Sequence, residues 1–356
     1  DCTSVKTVNI QGNVTNIPTS MFQGCTGLES VNMPASVTKI NTNAFYGCIS
    51  LAEVEFSGSY VQISDDAFYG CTSLTSVDLT IVTSLGDNSR AFAGCDGITE
   101  FIVNESNEYY TAEGGVLFNK KMTYLVQYPA AKEGSSYTIP DSVTILTGNA
   151  FGGCSHLKSL TLNKAVYSVR SALQDTGSLE SITVNEKNTN YSSRNGLLYD
   201  RSGVMLLACP SGLKSVTFDK DTLFLEGKSL TGNNLEEIRF ISGGRYFLNE
   251  ASVNDCRSLK KIAIEDGADI VFGLGSIAST SKEKQTIEVS APEGFKVPAH
   301  AVTGNVEFTY GPAPTPEPEP SDSSGKKNNT IVFVAIGGVA VLALAGAAFF
   351  LIRRRA

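Results

Sequence analysis

The chain has 356 residues, of which 42% are apolar and 18% charged, a balance that supplies a buried core and excludes a wholly disordered polypeptide. The formal net charge is −8; three acidic and five basic residues lie from Gly311 onward, so 33 acidic residues face 23 basic ones before it. This acidity argues against general nucleic-acid binding, and two histidines with no tryptophan leave little material for histidine-based catalysis or a histidine-rich metal site.

Cys2, Cys25, Cys48 and Cys71 are spaced by 23 residues, and Cys95 follows at 24. A full unit reads VTNIPTSMFQGCTGLESVNMPAS over residues 14–36, and later copies carry AFYGCTSL, AFAGCDGI and AFGGCSHL. Within each unit an apolar triplet L-x-x-V-x-L recurs, nine times in register, with Val8, Val31, Val54, Val77, Phe101, Leu160, Ile182, Ile238 and Ile262 as its middle members. The alternation of the last two apolar positions predicts a short half-buried strand. One unit cannot hide its own apolar edge, but stacked units can, with strands about 4.8 Å apart. The Ala-Phe pairs at Ala44-Phe45, Ala67-Phe68, Ala91-Phe92 and Ala150-Phe151 are then expected to form an aromatic spine. Because Cys2-Thr3-Ser4-Val5 matches the second half of a unit, the sequence is expected to begin inside a repeat, with more repeats and a signal peptide upstream.

Two longer units interrupt this rhythm, GVLFNKKMTYLVQYP from Gly115 and GLLYDRSGVMLLACP from Gly196. Each predicts a β-hairpin of two apolar strands around Asn119-Lys120 or Asp200-Arg201, within inserts near 104–140 and 185–220. The repeat array is assigned to residues 1–265. From Asp269 the pattern fades, and TIEVS and VEFTY predict short strands in a capping segment, 266–310. Residues 311–330 contain alternating prolines from Pro312 to Pro320 followed by Ser, Gly, Lys and Asn, which predicts an extended extracellular stalk. Residues 331–352 are 22 uncharged residues; as a helix they would be roughly 33 Å long, enough to span a bilayer. Arg353, Arg354 and Arg355 follow, so 353–356 is expected in the cytoplasm and the N-terminal bulk outside the cell.

The coil V-T-x-I-x-x-x-A-F-x-G-C-x-x-L-x-x-V-x-x-P-x-S resembles the BspA-like class of leucine-rich repeats over roughly residues 2–265. Thr176 and Gly232 stand where the pattern has cysteine. The resemblance implies a β-rich solenoid of the leucine-rich-repeat type with hairpin inserts. It also implies a surface protein of a bacterium or parasitic protist, some members of the class being linked to adhesion, and it brings no shared catalytic residue.

Seven of the eight cysteines, all but Cys209, fall at one position of the coil. Stacking permits either neighbouring disulfides or a ladder of buried free thiols. No C-x-x-C pair points to a metal, and no cofactor is expected. Gly273-x-Gly275-x-x-Ala278 matches a dinucleotide fingerprint in letters, but no long helix is predicted after it, so a turn is expected. His156 beside Cys154 occupies a variable position and is expected as an exposed turn residue. Sequons at Asn13, Asn104, Asn190 and Asn328 are possible glycan sites only in a eukaryotic secretory pathway, the last lying close to the apolar run. The candidate binding strip comprises strand residues flanking the buried middle position: Asn32, Glu53, Glu55, Asp78, Glu100, Ile102, Arg239 and Lys261, in a continuous row that runs from acidic to mixed. The expected function is capture of an extracellular protein or glycan partner, in adhesion, by a single-pass membrane protein. A partnerless surface coat and a receptor ectodomain are the alternatives, and a surface hydrolase is disfavoured.

Overall fold

Most coils need only two to four residues in a strand, because a turn on either side sends the chain round to the next level. In the computed structural model, which describes residues 2–86, 90–169, 171–232 and 234–316, these short strands pair in parallel with the equivalent residues of neighbouring coils. The first ladder joins Thr7–Asn9, Ser30–Asn32 and Glu53–Val54, with Val8 opposite Val31 and Val31 opposite Val54. Ser76–Asp78 then pairs with Glu100–Ile102. Further on, Ser136–Thr138, Ser159–Leu162 and Ser181–Val184 form one ladder. Ser215–Phe218, Glu237–Phe240, Lys261–Ile264, Gln285–Ser290 and Val306–Gly311 form another. The residues of TIEVS and VEFTY thus continue the parallel ladder as two further rungs. Rungs at Tyr137 and Val216 also join, although neither follows an A-F-x-G-C turn. Other parallel ladders run along the coils, among them Asn16–Ile17, Lys39–Ile40, Val61–Ile63 and Val82–Ser84.

The interior repeats as strictly as the backbone. Leu28, Leu51 and Leu74 are fully buried, as are Phe45 and Phe68. Phe22, Phe45, Phe68 and Phe92 stack face to face, with centroids 5.1, 5.0 and 5.2 Å apart. The spine does not pass directly to Phe151: Tyr128, from the insert, stacks on it at 5.5 Å.

Each insert is a three-stranded antiparallel meander rather than a two-stranded hairpin. Tyr110–Glu113 pairs with Val116–Asn119, which pairs with Tyr124–Gln127; Tyr191–Arg194, Leu197–Asp200 and Met205–Ala208 repeat the arrangement. The expected turns are present. Asn119 Oδ1 accepts the N–H groups of Thr123 and Tyr124 at 2.9 and 2.8 Å, and Asp200 Oδ1 accepts those of Val204 and Met205 at 3.1 and 2.9 Å. The extra first strand is polar and half-buried, so it gives no apolar signal. The third strand of each meander pairs in parallel with the next coil, Leu125 with Leu146 and Leu206 with Leu225. The meanders are therefore built into the stack.

Prolines 318 and 320, Asn328, the apolar run 331–352 and the tail 353–356 lie outside the described residues. Among the described residues no helix is long and apolar enough to cross a membrane.

The cysteines form a ladder of free thiols. The Sγ atoms of Cys48, Cys71 and Cys95 donate to the carbonyls of Phe22, Phe45 and Phe68 in the preceding coil, at 3.1, 3.2 and 3.0 Å. Burial pushes the Cys48 and Cys154 thiols from the ordinary 9.0 up to about 12. The folded state favours the neutral thiol, so this contribution to stability is full below pH 9 and is lost as pH rises towards 12. The melting temperature should therefore fall between about pH 9 and pH 12, as followed by calorimetry. Iodoacetamide should modify exposed Cys2 in the native protein and the buried thiols only on unfolding. A melting temperature flat across that range would contradict the thiol ladder.

Candidate functional site

The strand residues on either side of each buried middle position point outward because side chains alternate along a strand. On the first coils they match from rung to rung. Thr7 Oγ1 lies 3.1 Å from Ser30 Oγ, and Asn32 Nδ2 donates to Asn9 Oδ1 at 2.5 Å. Glu53 sits opposite Ser30, Glu100 opposite Ser76, and Ile102 opposite Asp78. Asn32, Glu53, Glu55, Asp78, Glu100 and Ile102 are all exposed, around buried Val31, Val54, Val77 and Phe101. Asp78 Oδ1 accepts the Thr80 N–H at 2.8 Å. None of the four carboxylates in this group forms an ion pair with a described residue.

The later strip residues behave differently. Lys261 reaches Glu237 at 3.7 Å, with both side chains about one-third exposed. Arg239 turns inward: its Nη1 donates to Glu265 Oε1 and to the Thr315 carbonyl, both at 3.0 Å, and Glu265 is 1% exposed. Glu265 also accepts the Ser242 N–H at 3.0 Å. Arg239 thus holds a buried carboxylate and the segment after the last strand. The strip is also interrupted at both inserts. Phe101 N–H donates to Gly115 O at 2.9 Å and Ile182 N–H to Gly196 O at 2.8 Å, so a meander turn occupies the place of the next rung. Gly115 has φ +80°, and a side-chain carbon there would collide with Glu100, so only glycine fits.

Other candidates fall elsewhere. Cys154 is buried, whereas His156 is exposed and faces Ser155 Oγ at 3.3 Å and Glu133 at 3.9 Å; the two do not form a nucleophile pair. Gly273 and Gly275 lie in the turn between Asp269–Phe272 and Ile277–Ala278, without a following helix. Asn13, Asn104 and Asn190 are exposed; Asn104 Oδ1 accepts the Ser106 N–H at 3.0 Å and Asn190 Nδ2 donates to Thr189 at 3.3 Å. Repeat reasoning missed the part played by Gln127, whose buried Nε2 donates to Phe92 O at 3.1 Å. That is the bond a cysteine makes in the regular coils, and the absence of A-F-x-G-C before Pro129 was the available signal. No group of described acidic, histidine or cysteine side chains is placed to hold a metal ion.

Parallel rungs with an outward polar face and a buried leucine column define a leucine-rich-repeat solenoid. The model of the BspA-type leucine-rich repeat region matches six copies over residues 1–113 and 130–195, and the chain belongs to this family. No curated protein matches the sequence. Among solved structures, the pneumococcal vaccine antigen PcpA is similar at 22% identity over 80% of this chain and 67% of that one, with a TM-score of 0.45. A leucine-rich cell surface protein from Faecalibacterium prausnitzii gives 21%, 86% and 61%, with a TM-score of 0.33. A leucine-rich repeat protein from Eubacterium ventriosum gives 17%, 91% and 86%, with a TM-score of 0.41. This chain thus spans about three fifths to six sevenths of these proteins.

The two basic strip residues should separate in a stability measurement. Arg239→Met removes the guanidinium paired with the buried Glu265 carboxylate and should cost about 3–5 kcal/mol in urea unfolding. Lys261→Met, at a solvated pair, should change stability by about 1 kcal/mol or less. Similar losses from both would contradict the structural assignment of Arg239.

Proposed function

We propose that this protein is a membrane-anchored cell-surface protein that captures an extracellular partner through the acidic rung ends of its first coils, in adhesion. The observation that carries the reading is the contrast between the two halves of the strip. Glu53, Glu55, Asp78 and Glu100 project without ion-pair partners among the described residues, whereas Glu237 pairs with Lys261 at 3.7 Å and Arg239 with Glu265 at 3.0 Å. Unpaired carboxylates on one face attract a basic protein segment over a distance of about 8–10 Å at physiological salt and raise its association rate. Family membership favours a surface role. The uncharged run 331–352 with its arginine flank supports anchoring, with the N-terminal bulk outside. The role is recognition: the strip consists of exposed strand ends, and buried Cys154 and exposed His156 form no nucleophile pair.

The test uses a coat of reconstituted extracellular matrix and the intact protein, followed by biolayer interferometry. Glu53→Lys, Glu55→Lys and Asp78→Lys together should lower the association rate at least about tenfold at low salt, with a much smaller difference at high salt. Unchanged capture by the triple variant would refute the strip. No capture by the unaltered protein would favour a partnerless coat.

A further inference from the structure

A regular coil passes from its second strand, such as Val61–Ile63, through the half-buried turn residues Ser64, Asp65 and Asp66 to the buried Ala67-Phe68 pair. At the first insert that turn is missing. Gln127 leads straight to buried Tyr128, whose N–H donates to Ala150 O at 2.8 Å, and the chain continues at Pro129. Since successive levels are about 4.8 Å apart, omitting one turn separates its neighbours by roughly 10 Å. The result is a notch of about 930 Å³ between the turn carrying Arg90 and Asp96 and the turn carrying Asn149. That volume falls within the range of small-ligand sites, about 300–1,000 Å³.

The lining is specific in chemistry. Asp96, Asn149 and Gln174 line the notch, as does Asp175, whose carboxylate is turned towards Gly232, and none of these side chains makes a hydrogen bond or ion pair with another described residue. The Tyr124 ring, 43% exposed, lies in the wall. Asp66 is paired with Arg90 at 3.1 Å, and that guanidinium also lies over Tyr69. Partial burial raises both Asp96 and Asp175 above the usual carboxylate range.

We propose that this notch is a binding site for a neutral oligosaccharide. Planar carboxylates and amides that lack partners offer both acceptors and donors to sugar hydroxyls, and an exposed tyrosine ring offers an apolar face to the C–H groups of a pyranose. Two carboxylates without a counter-charge disfavour acidic sugars. A simple cation would use the acceptors and leave the amide donors idle. The site is separate from the rung ends and stands without them.

The intact protein would be mixed with neutral di- and trisaccharides of galactose, mannose and N-acetylglucosamine and followed by saturation-transfer difference NMR. At least one sugar should receive saturation. Asp96→Asn with Gln174→Ala, and separately Tyr124→Ala, should weaken its binding at least about tenfold, the loss expected when polar partners or an aromatic face are removed. Glu53→Lys with Glu55→Lys should leave it unchanged. Circular dichroism spectra matching the unaltered protein would show that the notch variants remain folded, and the two independent variants guard against a failure of either. The proposal is overturned if no sugar binds or if binding survives both notch variants. It is also overturned if N-acetylarginine amide binds there in preference to its uncharged citrulline counterpart and to every sugar, which would make the notch a cation site.

Discussion

The backbone amide is the group on which this architecture depends. A coil of about two dozen residues cannot answer its own N–H and C=O groups, so each coil must take its partners from the next. That requirement fixes the level-to-level spacing and sets residues of equal position one above another. Like therefore meets like. Phenylalanine stacks on phenylalanine within 5.0–5.2 Å, and exposed Tyr46 stacks on Tyr69 at 4.8 Å. Carboxylates repel when stacked this way, and neutral or basic neighbours separate several of them. In the early coils Glu53 has Ser30 as its paired neighbour, and Glu100 has Ser76. In the later ladder signs alternate, with Lys261 set between Glu237 and Glu288. Serines thus accompany Glu53 and Glu100, while Glu55 and Asp78 hold one slot of successive coils and add to the acidity of the first half; alternation cancels the charge around Lys261 in the second half.

Much of the fold was legible because stacking makes slots repeat in the sequence. The leucines, the strand centres and the cysteine position all follow from that. The rungs at Tyr137 and Val289 were harder to read, since Gly134 and Thr286 stand where the pattern has its leucine. The rung at Val216 keeps Leu213, but Cys209 before it is one residue out of register. The first strand of each meander, Tyr110–Glu113 or Tyr191–Arg194, is polar and only half-buried, so periodicity has nothing to register. Arg239 shows a different limit. Alternation alone places it outward, but Glu265 lies 26 residues away in sequence, and their encounter depends on a register known only once the coils are stacked. The notch shows a similar limit: the absence of A-F-x-G-C before Pro129 is visible in the sequence, but which turns face each other across the gap is known only once the coils are stacked.

The meanders act as joints within the stack. In the first, Val116 and Phe118 enter the middle section of the core while Leu117 enters the first. In the second, Leu198 enters the middle section while Leu197 and Tyr199 enter the last. A strand buried on both faces carries apolar residues consecutively, which explains the runs VLF and LLY. Asn107 and Asn188 fix the approach to the two joints in the same way. Asn107 Nδ2 donates to the Leu79, Thr80 and Val82 carbonyls at 3.1, 3.0 and 2.9 Å, while its Oδ1 accepts the Tyr109 and Tyr110 N–H groups, both at 2.8 Å. Asn188 donates to Asn163 O and Val166 O at 2.9 Å and accepts from Asn190 and Tyr191 at 2.8 and 2.9 Å.

What a slot requires is a hydrogen-bonding role, and the residue type can change when the role is kept. Gln127 replaces a thiol by donating to the same kind of carbonyl. Asp219 accepts the Asp221 and Thr222 N–H groups at 3.2 and 3.0 Å, as the buried asparagines accept theirs. A carboxylate has no N–H to donate and carries a charge, and the added requirement is met by Arg194, which binds both its oxygens at 2.5 and 2.9 Å. The serines at 229 and 276 mark the edge of this tolerance, because their buried hydroxyls have no hydrogen-bond partner among the described residues and each forgoes about 1–3 kcal/mol. Interior positions are thus held by the neighbouring coil, whereas Glu53, Glu55 and Glu100 at the rung ends and Asp96, Asn149 and Gln174 at the notch have side chains that bond to no described residue. Selection for a partner can act on those positions without disturbing the stack.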